Sequence, residues 1–283
     1  MSASADFLSG DAGDVTSPLR RLKRTLGEVA FDALDRAALV HRRADRLAAA
    51  QEPRRVLVAG VYRPDSVLPD AIEQLRSERH EMHFALGATG PPDPRLAAHT
   101  VAARLGGGKF ENLNRVLDGV TPLDAFDRVL VVDDDLVLPA RFADRFVALC
   151  EHFALDLAQP AQTLRSHSAW KVTRRRPASL VRETRFVEIG PLTTFARRAV
   201  AELLPFPELR FGWGLDLHWA AVAAEQGWRL GVVDAVPVRH EARLVAAGYA
   251  SGDATSEAAR FLAERPYLPA ARAGDTLAVH RRA

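Results

Sequence analysis

The feature that most constrains this chain is the stretch of residues 126–139, which reads FDRVLVVDDDLVLP. Val129, Leu130, Val131 and Val132 offer no polar residue to mark a solvent face, the pattern of a strand covered on both sides. Such a strand needs a layer of structure on each face, which points to an α/β architecture. The run ends abruptly in three carboxylates, Asp133, Asp134 and Asp135. Acids at the mouth of an apolar strand are costly to bury unless a cation or hydrogen-bond donors compensate them. In open α/β sheets, ligands gather in the crevice beyond the carboxyl ends of the strands. Side chains alternate along an extended chain, so Asp133 and Asp135 point to the same side. Two same-side carboxylates suit a hard divalent cation that also holds phosphate oxygens. A strand followed by a solvated acidic turn fits the same residues, because so short a motif recurs by chance.

The rest of the chain supplies the context. Residues 1–17 are small and polar, and are expected to be disordered. Residues 18–50 form a helical extension with Leu19, Leu22, Leu26, Val29 and Ala33 at spacings of three and four. Arg20, Arg21, Lys23 and Arg24 make its start basic. A basic amphipathic helix can lie on an anionic membrane; packing on the domain with a solvated polar face is the expected arrangement. The main domain spans 54–245. It opens with a strand at 56–61, a helix at 67–79, a strand at 82–86, a loop at 88–94 and a helix at 95–105. Gly106, Gly107 and Gly108 interrupt that helix before KFENLNRVLDG resumes it. The acid-tipped strand follows, then a helix at 140–153. Strand alternating with helix argues for a parallel, nucleotide-binding type of layer. The second half reads as strands at 156–163 and 184–189 around a basic loop, helices at 197–204 and 216–226, and two short strands ending at His240. Residues 246–283 form a tail with weak patterning.

Composition closes off several function classes. A formal net charge of +2 is too balanced for duplex nucleic acid, which demands a basic stripe. The single Cys150 rules out an intramolecular disulfide framework and a multi-cysteine zinc site. The sequence holds no run approaching ~18 apolar residues and no signal-peptide core, so a soluble, cytoplasmic protein without a transmembrane segment is expected.

Six elements in order carry a resemblance: Val61-Tyr62-Arg63 after the first strand, GKFENLN at 108–114, VVDDD at 131–135, FVEI at 186–189, FGWGLD at 211–216, and His240 after VVDAVPV. Together they resemble the GT-A glycosyltransferases, in particular a poorly characterised plant and bacterial branch that shares a GWGLD motif. The resemblance implies a nucleotide-diphospho-sugar transferase fold with a mixed central sheet flanked by helices. It implies Mn²⁺ or Mg²⁺ held by Asp133, Asp135 and His240, bridging the diphosphate of a UDP- or GDP-sugar. Asp216 resembles the general base of inverting enzymes. Val61, Tyr62, Arg63, Lys109, Asn112, Asn114 and Asp134 fall at donor-binding positions, and Glu188, Gly212, Trp213 and Gly214 beside the donor sugar or acceptor. The acceptor, a glycan, lipid or small molecule, is open. The GPLTTF that follows FVEI departs from the family pattern on the acceptor side.

Each residue also has a plainer reading. His240 could be a hydrogen-bonded histidine at a strand end, Asp216 a helix N-cap, Trp213 and Phe211 core aromatics, and Asn112 and Asn114 helix-surface amides. Asp133 to Val137 also matches the DxDxV strand end of haloacid-dehalogenase-type phosphatases, where Asp133 would be nucleophile and Asp135 general acid. That family places the strand at its start and needs later paired acids, which this chain lacks. A non-catalytic nucleotide-sugar or glycan-binding protein is the third alternative.

Overall fold

The computed structural model describes residues 6–7, 18–120, 122–166, 168–241 and 251–282. The disorder expected for residues 1–17 falls almost wholly outside the described residues. Two helices, α1 (Pro18–Ala37) and α2 (Val40–Ala50), lead into β1 (Arg55–Tyr62), α3 (Leu68–Leu75), β2 (Glu81–Ala88) and β3 (Thr100–Ala102). Then come α4 (Lys109–Asp118), β4 (Arg128–Val132), β5 (Leu136–Val137), α5 (Phe142–His152) and β6 (Leu157–Gln162). The chain continues through β7 (Val181–Thr184), β8 (Leu192–Ala196), α6 (Arg197–Leu203), α7 (Leu215–Gln226) and β9 (Leu230–His240), and ends in α8 (Ser251–Ala263) and β10 (Thr276–His280).

The strands form a mixed sheet in the order β10-β7-β9-β6-β8-β4-β1-β2-β3, with β5 paired to β9 off this path. β3, β2, β1 and β4 run parallel, whereas β8 is antiparallel to both β4 and β6. The chain leaves β1 toward β2 on one side and returns to β4 on the other, which makes a topological switch point between β1 and β4. Gly60 suits this junction, since a Cβ there would lie 2.9 Å from the Val132 carbonyl oxygen. Alternation along β4 sends Leu130 and Val132 into a core shared with α2, α3 and α5. Val129 and Val131 enter a second core built on α4, α6 and α7. All of β4 is buried, as expected of a strand with no polar face.

Several local expectations change. Residues 95–105 are not a helix but a single 3₁₀ turn, Ala97–His99, and the short strand β3. Thr100 and Val101 are β-branched, and the Tyr62 hydroxyl, 2.8 Å from Thr100 Oγ1, ties this segment to the sheet edge. The strand expected at 184–189 lies earlier, at β7. Thr184 Oγ1 donates to the Phe186 carbonyl at 2.7 Å, which turns 186–191 into a loop before β8, a strand the sequence did not reveal. The two strands expected before His240 are one, β9, which changes partners from β6 and β7 to β5 instead of ending.

The helical extension is broken at Leu39, in the left-handed region with φ 54°. α2 belongs to the main core: Val40, Ala44 and Ala48 are fully buried, and Asp45 pairs with Arg141 and Arg145 of the α5 start at 2.8 Å each. α1 reverses expectation, because its leucine stripe faces outward. Glu28, Asp32 and Asp35 hold it down instead, all on the buried guanidinium of Arg175. The tail, where described, joins the sheet through β10, antiparallel to β7.

Candidate active site

Four segments converge at the carboxyl ends of β1 and β4. β1 ends in Tyr62 and delivers Arg63; β4 delivers Asp133, Asp134 and Asp135. The 186–191 loop crosses in front, tied by the Asp133 N–H to the Pro191 carbonyl at 2.9 Å. The β5–β9 ladder sets Leu136 opposite His240, which brings that histidine beside Asp135 across a hundred residues of sequence. One ligand atom from each of Asp133, Asp135 and His240 can be chosen so that all lie within 4.8 Å of one another.

The chain turns at Asp134 and Asp135 right after β4 ends, and only two of the three acids join this cluster. Asp134 points away and is clamped by Arg63, whose Nε and Nη2 donate to its two oxygens at 2.8 and 2.5 Å while the Arg63 N–H adds a third bond at 2.8 Å. Asp133 meets the Lys109 ammonium at 2.5 Å. Asp135 Oδ1 lies 3.0 Å from His240 Nε2, yet it is a buried oxygen with no aligned donor. The carboxylate and the imidazole are thus near enough to share one ion. Burial pushes the Asp135 carboxyl up, but His240, Arg63 and Lys109 outweigh it and hold it below the usual carboxylate range. Burial pulls the His240 imidazole down, and Asp135, Asp133 and Glu188 more than offset that.

The residues thus fit a divalent ion. They offer two carboxylates and an imidazole, an O/N set suited to Mn²⁺ or Mg²⁺, and Asp135 Oδ1 is an orphaned buried acceptor within it. Gly190 leaves room at the cluster, since a Cβ there would stand 2.8 Å from Asp133 Oδ2.

On the far side of the 186–191 loop sits Asp216. It is 7 % exposed, and the N–H groups of Leu217 and Ile189 face its carboxylate. The helix cap is Gly214, not Asp216, so the simple N-cap reading does not hold. Burial pushes the Asp216 carboxyl up to about 7. Glu188 is partly exposed. Its carboxylate accepts from Gln162 Nε2 at 2.9 Å, and burial, with the nearby Asp216 charge, pushes it up to about 8. Lys109 Nζ also reaches the Ile189 carbonyl at 3.4 Å, so the acid cluster and Asp216 are bridged by one loop.

The FGWGLD turn is held from two directions. Gly212 has φ 77°, and a Cβ there would be 2.0 Å from the Phe110 ring. A Cβ on Gly108 would be 2.1 Å from the Arg210 carbonyl oxygen. GKFENLN and FGWGLD are therefore one packed unit. Gly214, φ 88°, presses on Leu262 of α8. Glu257 of α8 accepts the N–H groups of Arg210, Phe211 and Gly212 at 2.8, 2.9 and 3.0 Å. No motif in the tail advertised Glu257; only the packed α8 discloses it.

The other expected donor-side residues divide. Val61 is partly buried against the second core. Tyr62 is buried, its hydroxyl shared by Thr100 and the Asp93 N–H. Asn112 is buried and accepts from Arg115 at 2.7 Å. Asn114 clips both the N–H and the carbonyl of Phe206 at 2.9 and 2.8 Å. The side chains of Tyr62, Asn112 and Asn114 are thus engaged in hydrogen bonds within the fold. Trp213 is half-buried.

No family model and no curated protein matches the sequence. Solved structures do match the fold. A crystal structure of GalNAc-T7 with UDP, GalNAc and Mn²⁺ aligns at TM-score 0.51 and 10 % identity, covering 68 % of this chain and 44 % of that one. The present chain thus spans less than half of the GalNAc-T7 chain. A structure of S. aureus TarS 1-349 in complex with UDP-GlcNAc aligns at TM-score 0.51 and 13 % identity, covering 77 % of this chain and 69 % of that one. At these identities the likeness is one of fold: a mixed α/β sheet flanked by helices, the GT-A glycosyltransferase fold.

Proposed function

We propose that this protein is a metal-dependent glycosyltransferase that moves a sugar from a nucleotide-diphospho-sugar to an acceptor hydroxyl with inversion. The observation that carries the reading is the Asp133, Asp135 and His240 cluster at the switch point of a GT-A sheet. Those three residues would hold Mn²⁺ or Mg²⁺. The bound ion would neutralise charge on the departing nucleotide diphosphate. Arg63 and Lys109 flank the same end of the sheet and suit phosphate oxygens; Lys109, now on Asp133, would turn to the diphosphate. Asp134 keeps Arg63 in place.

Asp216 would take the proton from the acceptor hydroxyl. It is separated from the acid cluster by the 186–191 loop, and its raised pKa matches a base working near neutrality. Glu188, protonated over most of that range, would donate a hydrogen bond to a sugar or acceptor oxygen. Trp213, half-exposed on the rigid turn, suits stacking against a sugar face. That the two aligned proteins carry UDP or UDP-GlcNAc supports a UDP-sugar as donor. The phosphatase alternative is not favoured, since β4 lies mid-chain in a GT-A sheet and Asp133 is flanked by Lys109 and His240.

The test is calorimetric titration of UDP and GDP with and without Mn²⁺. Wild type is expected to bind one diphosphate only with metal, and Asp135→Asn to lose that metal dependence with at least a tenfold weaker affinity. Equal, EDTA-insensitive binding by both proteins would sink the reading.

A further inference from the structure

We infer that α1 docks the protein onto an anionic lipid surface. An amphipathic helix ordinarily turns its apolar stripe to the core and its charges to water. α1 does the opposite. Its acids are spent on the protein: Arg175, itself buried, takes Asp35 and Glu28 at 2.5 Å and Asp32 at 2.8 Å. The Ala178 N–H adds a bond to Asp35 at 2.6 Å. Gly27 brings the helix down onto Leu164, whose N–H donates to Glu28.

With that face ionic and inward, the apolar residues have nowhere to go but out. Leu19, Leu22, Leu26 and Val29 are 71 %, 56 %, 60 % and 63 % exposed. They follow one another at spacings of three and four, so they form a continuous stripe and not the scattered exposed leucines that need no explanation. Glu28, Asp32 and Asp35 recur on the opposite side of the same helix. The orientation is therefore imposed by the Arg175 cluster, which a mere packing helix would not require.

Charge selects the occupant. Residues 18–27, PLRRLKRTLG, carry four cations and no acid. Arg20, Arg21 and Lys23 are exposed on the same stretch of helix, Lys23 beside the stripe and the two arginines farther round. An exposed leucine face on a helix whose polar residues are Lys and Arg is the composition that lies in the plane of a bilayer, with apolar side chains below the headgroups and cations reaching the anionic ones. A second copy of α1 would have to meet these same cations, like charge against like. The perch also shares its loop with the candidate site: Ser166, two residues beyond Leu164, accepts the His240 N–H at 3.0 Å.

The experiment is co-sedimentation of the full chain with phosphatidylcholine vesicles, with or without phosphatidylglycerol. Wild type is expected to pellet with the anionic vesicles alone and to be released by high salt. Leu22→Glu/Leu26→Glu should cut that binding by about tenfold or more while keeping the wild-type melting temperature and Mn²⁺–UDP response, since neither residue touches the crevice. Absence of wild-type binding to anionic vesicles overturns the inference, as does equal binding by the double variant. A concentration-dependent dimer that the double variant abolishes, without vesicle binding, would assign the stripe to a second copy. A lowered melting temperature of the double variant, again without vesicle binding, would assign it to another segment of this chain.

Discussion

Asp216 concentrates the chemistry at the residue scale. A carboxylate removed from water and given only backbone N–H groups keeps its proton longer than a surface acid. In the proposed role of base it is competent once ionised, so transfer is expected to rise as pH passes about 7. Asp216→Asn keeps size and local hydrogen bonding but cannot take a proton. It should lower turnover by ~10²–10⁴-fold and leave Mn²⁺–UDP affinity nearly unchanged, a split measured by kcat against calorimetric Kd. Near-wild-type turnover in Asp216→Asn would move the base elsewhere, with Glu188 the next place to look. The same two groups set a stability signature. Both have native pKa values raised above their unfolded ones, of about 3.9 for Asp and 4.3 for Glu. Their contribution is therefore full below about pH 4 and is lost as pH rises through about 7 for Asp216 and about 8 for Glu188. Asp216→Asn should flatten much of that decline, which urea unfolding across pH would reveal.

Elements, not single residues, explain why two glycine-rich motifs stand a hundred positions apart. Gly108 and Gly212 each lack the Cβ that the other motif's atoms would strike, so α4 and the 210–214 turn fit only as a pair. Glu257 closes the unit from α8 by collecting three successive N–H groups. Glu257→Ala leaves those donors without an acceptor, at a cost of about 1–3 kcal/mol. A lower denaturant midpoint and slower transfer are expected, with Glu257→Gln recovering part of both because its amide oxygen still accepts. If Glu257→Ala transfers sugar at the wild-type rate, the turn does not depend on α8 for its shape.

The whole molecule makes the N-terminal helices integral to the domain. Every motif lies after residue 54, and by sequence residues 1–50 are dispensable to nucleotide binding. The packing says otherwise for stability. Removing residues 1–50 strips Val40, Ala44 and Ala48 from the main core and leaves Arg175 buried without its three acids. Orphaning a buried ion-pair partner alone costs roughly 3–5 kcal/mol. The truncated protein should therefore show a sharply lower melting temperature, read by circular dichroism, while whatever fraction stays folded still binds Mn²⁺–UDP. A truncation as stable as the full chain would refute the role given to α2 and Arg175.

The acid-tipped strand was legible in the sequence because its signal is local. Four aliphatic residues in a row have only one economical place, a strand covered on both faces, with the acids at its carboxyl end; which of them face the cluster is set by the turn at Asp134 and Asp135. Helices α4 and α5 were legible for the same reason, each carrying its own apolar period; α7 is apolar nearly all round and was marked instead by the glycines that bound it. His240 was a candidate only through resemblance; its place beside Asp135 depends on the β5–β9 register, a pairing between segments about a hundred residues apart. β8 and β3 were hidden because, although both carry β-branched residues, strands of five and three residues are too short for a period to show. Glu257 and the outward turn of α1 were beyond local reading altogether. Periodicity tells which residues share a helix face, but which face meets the protein is decided by what waits there, in this case a triple backbone donor and a buried arginine.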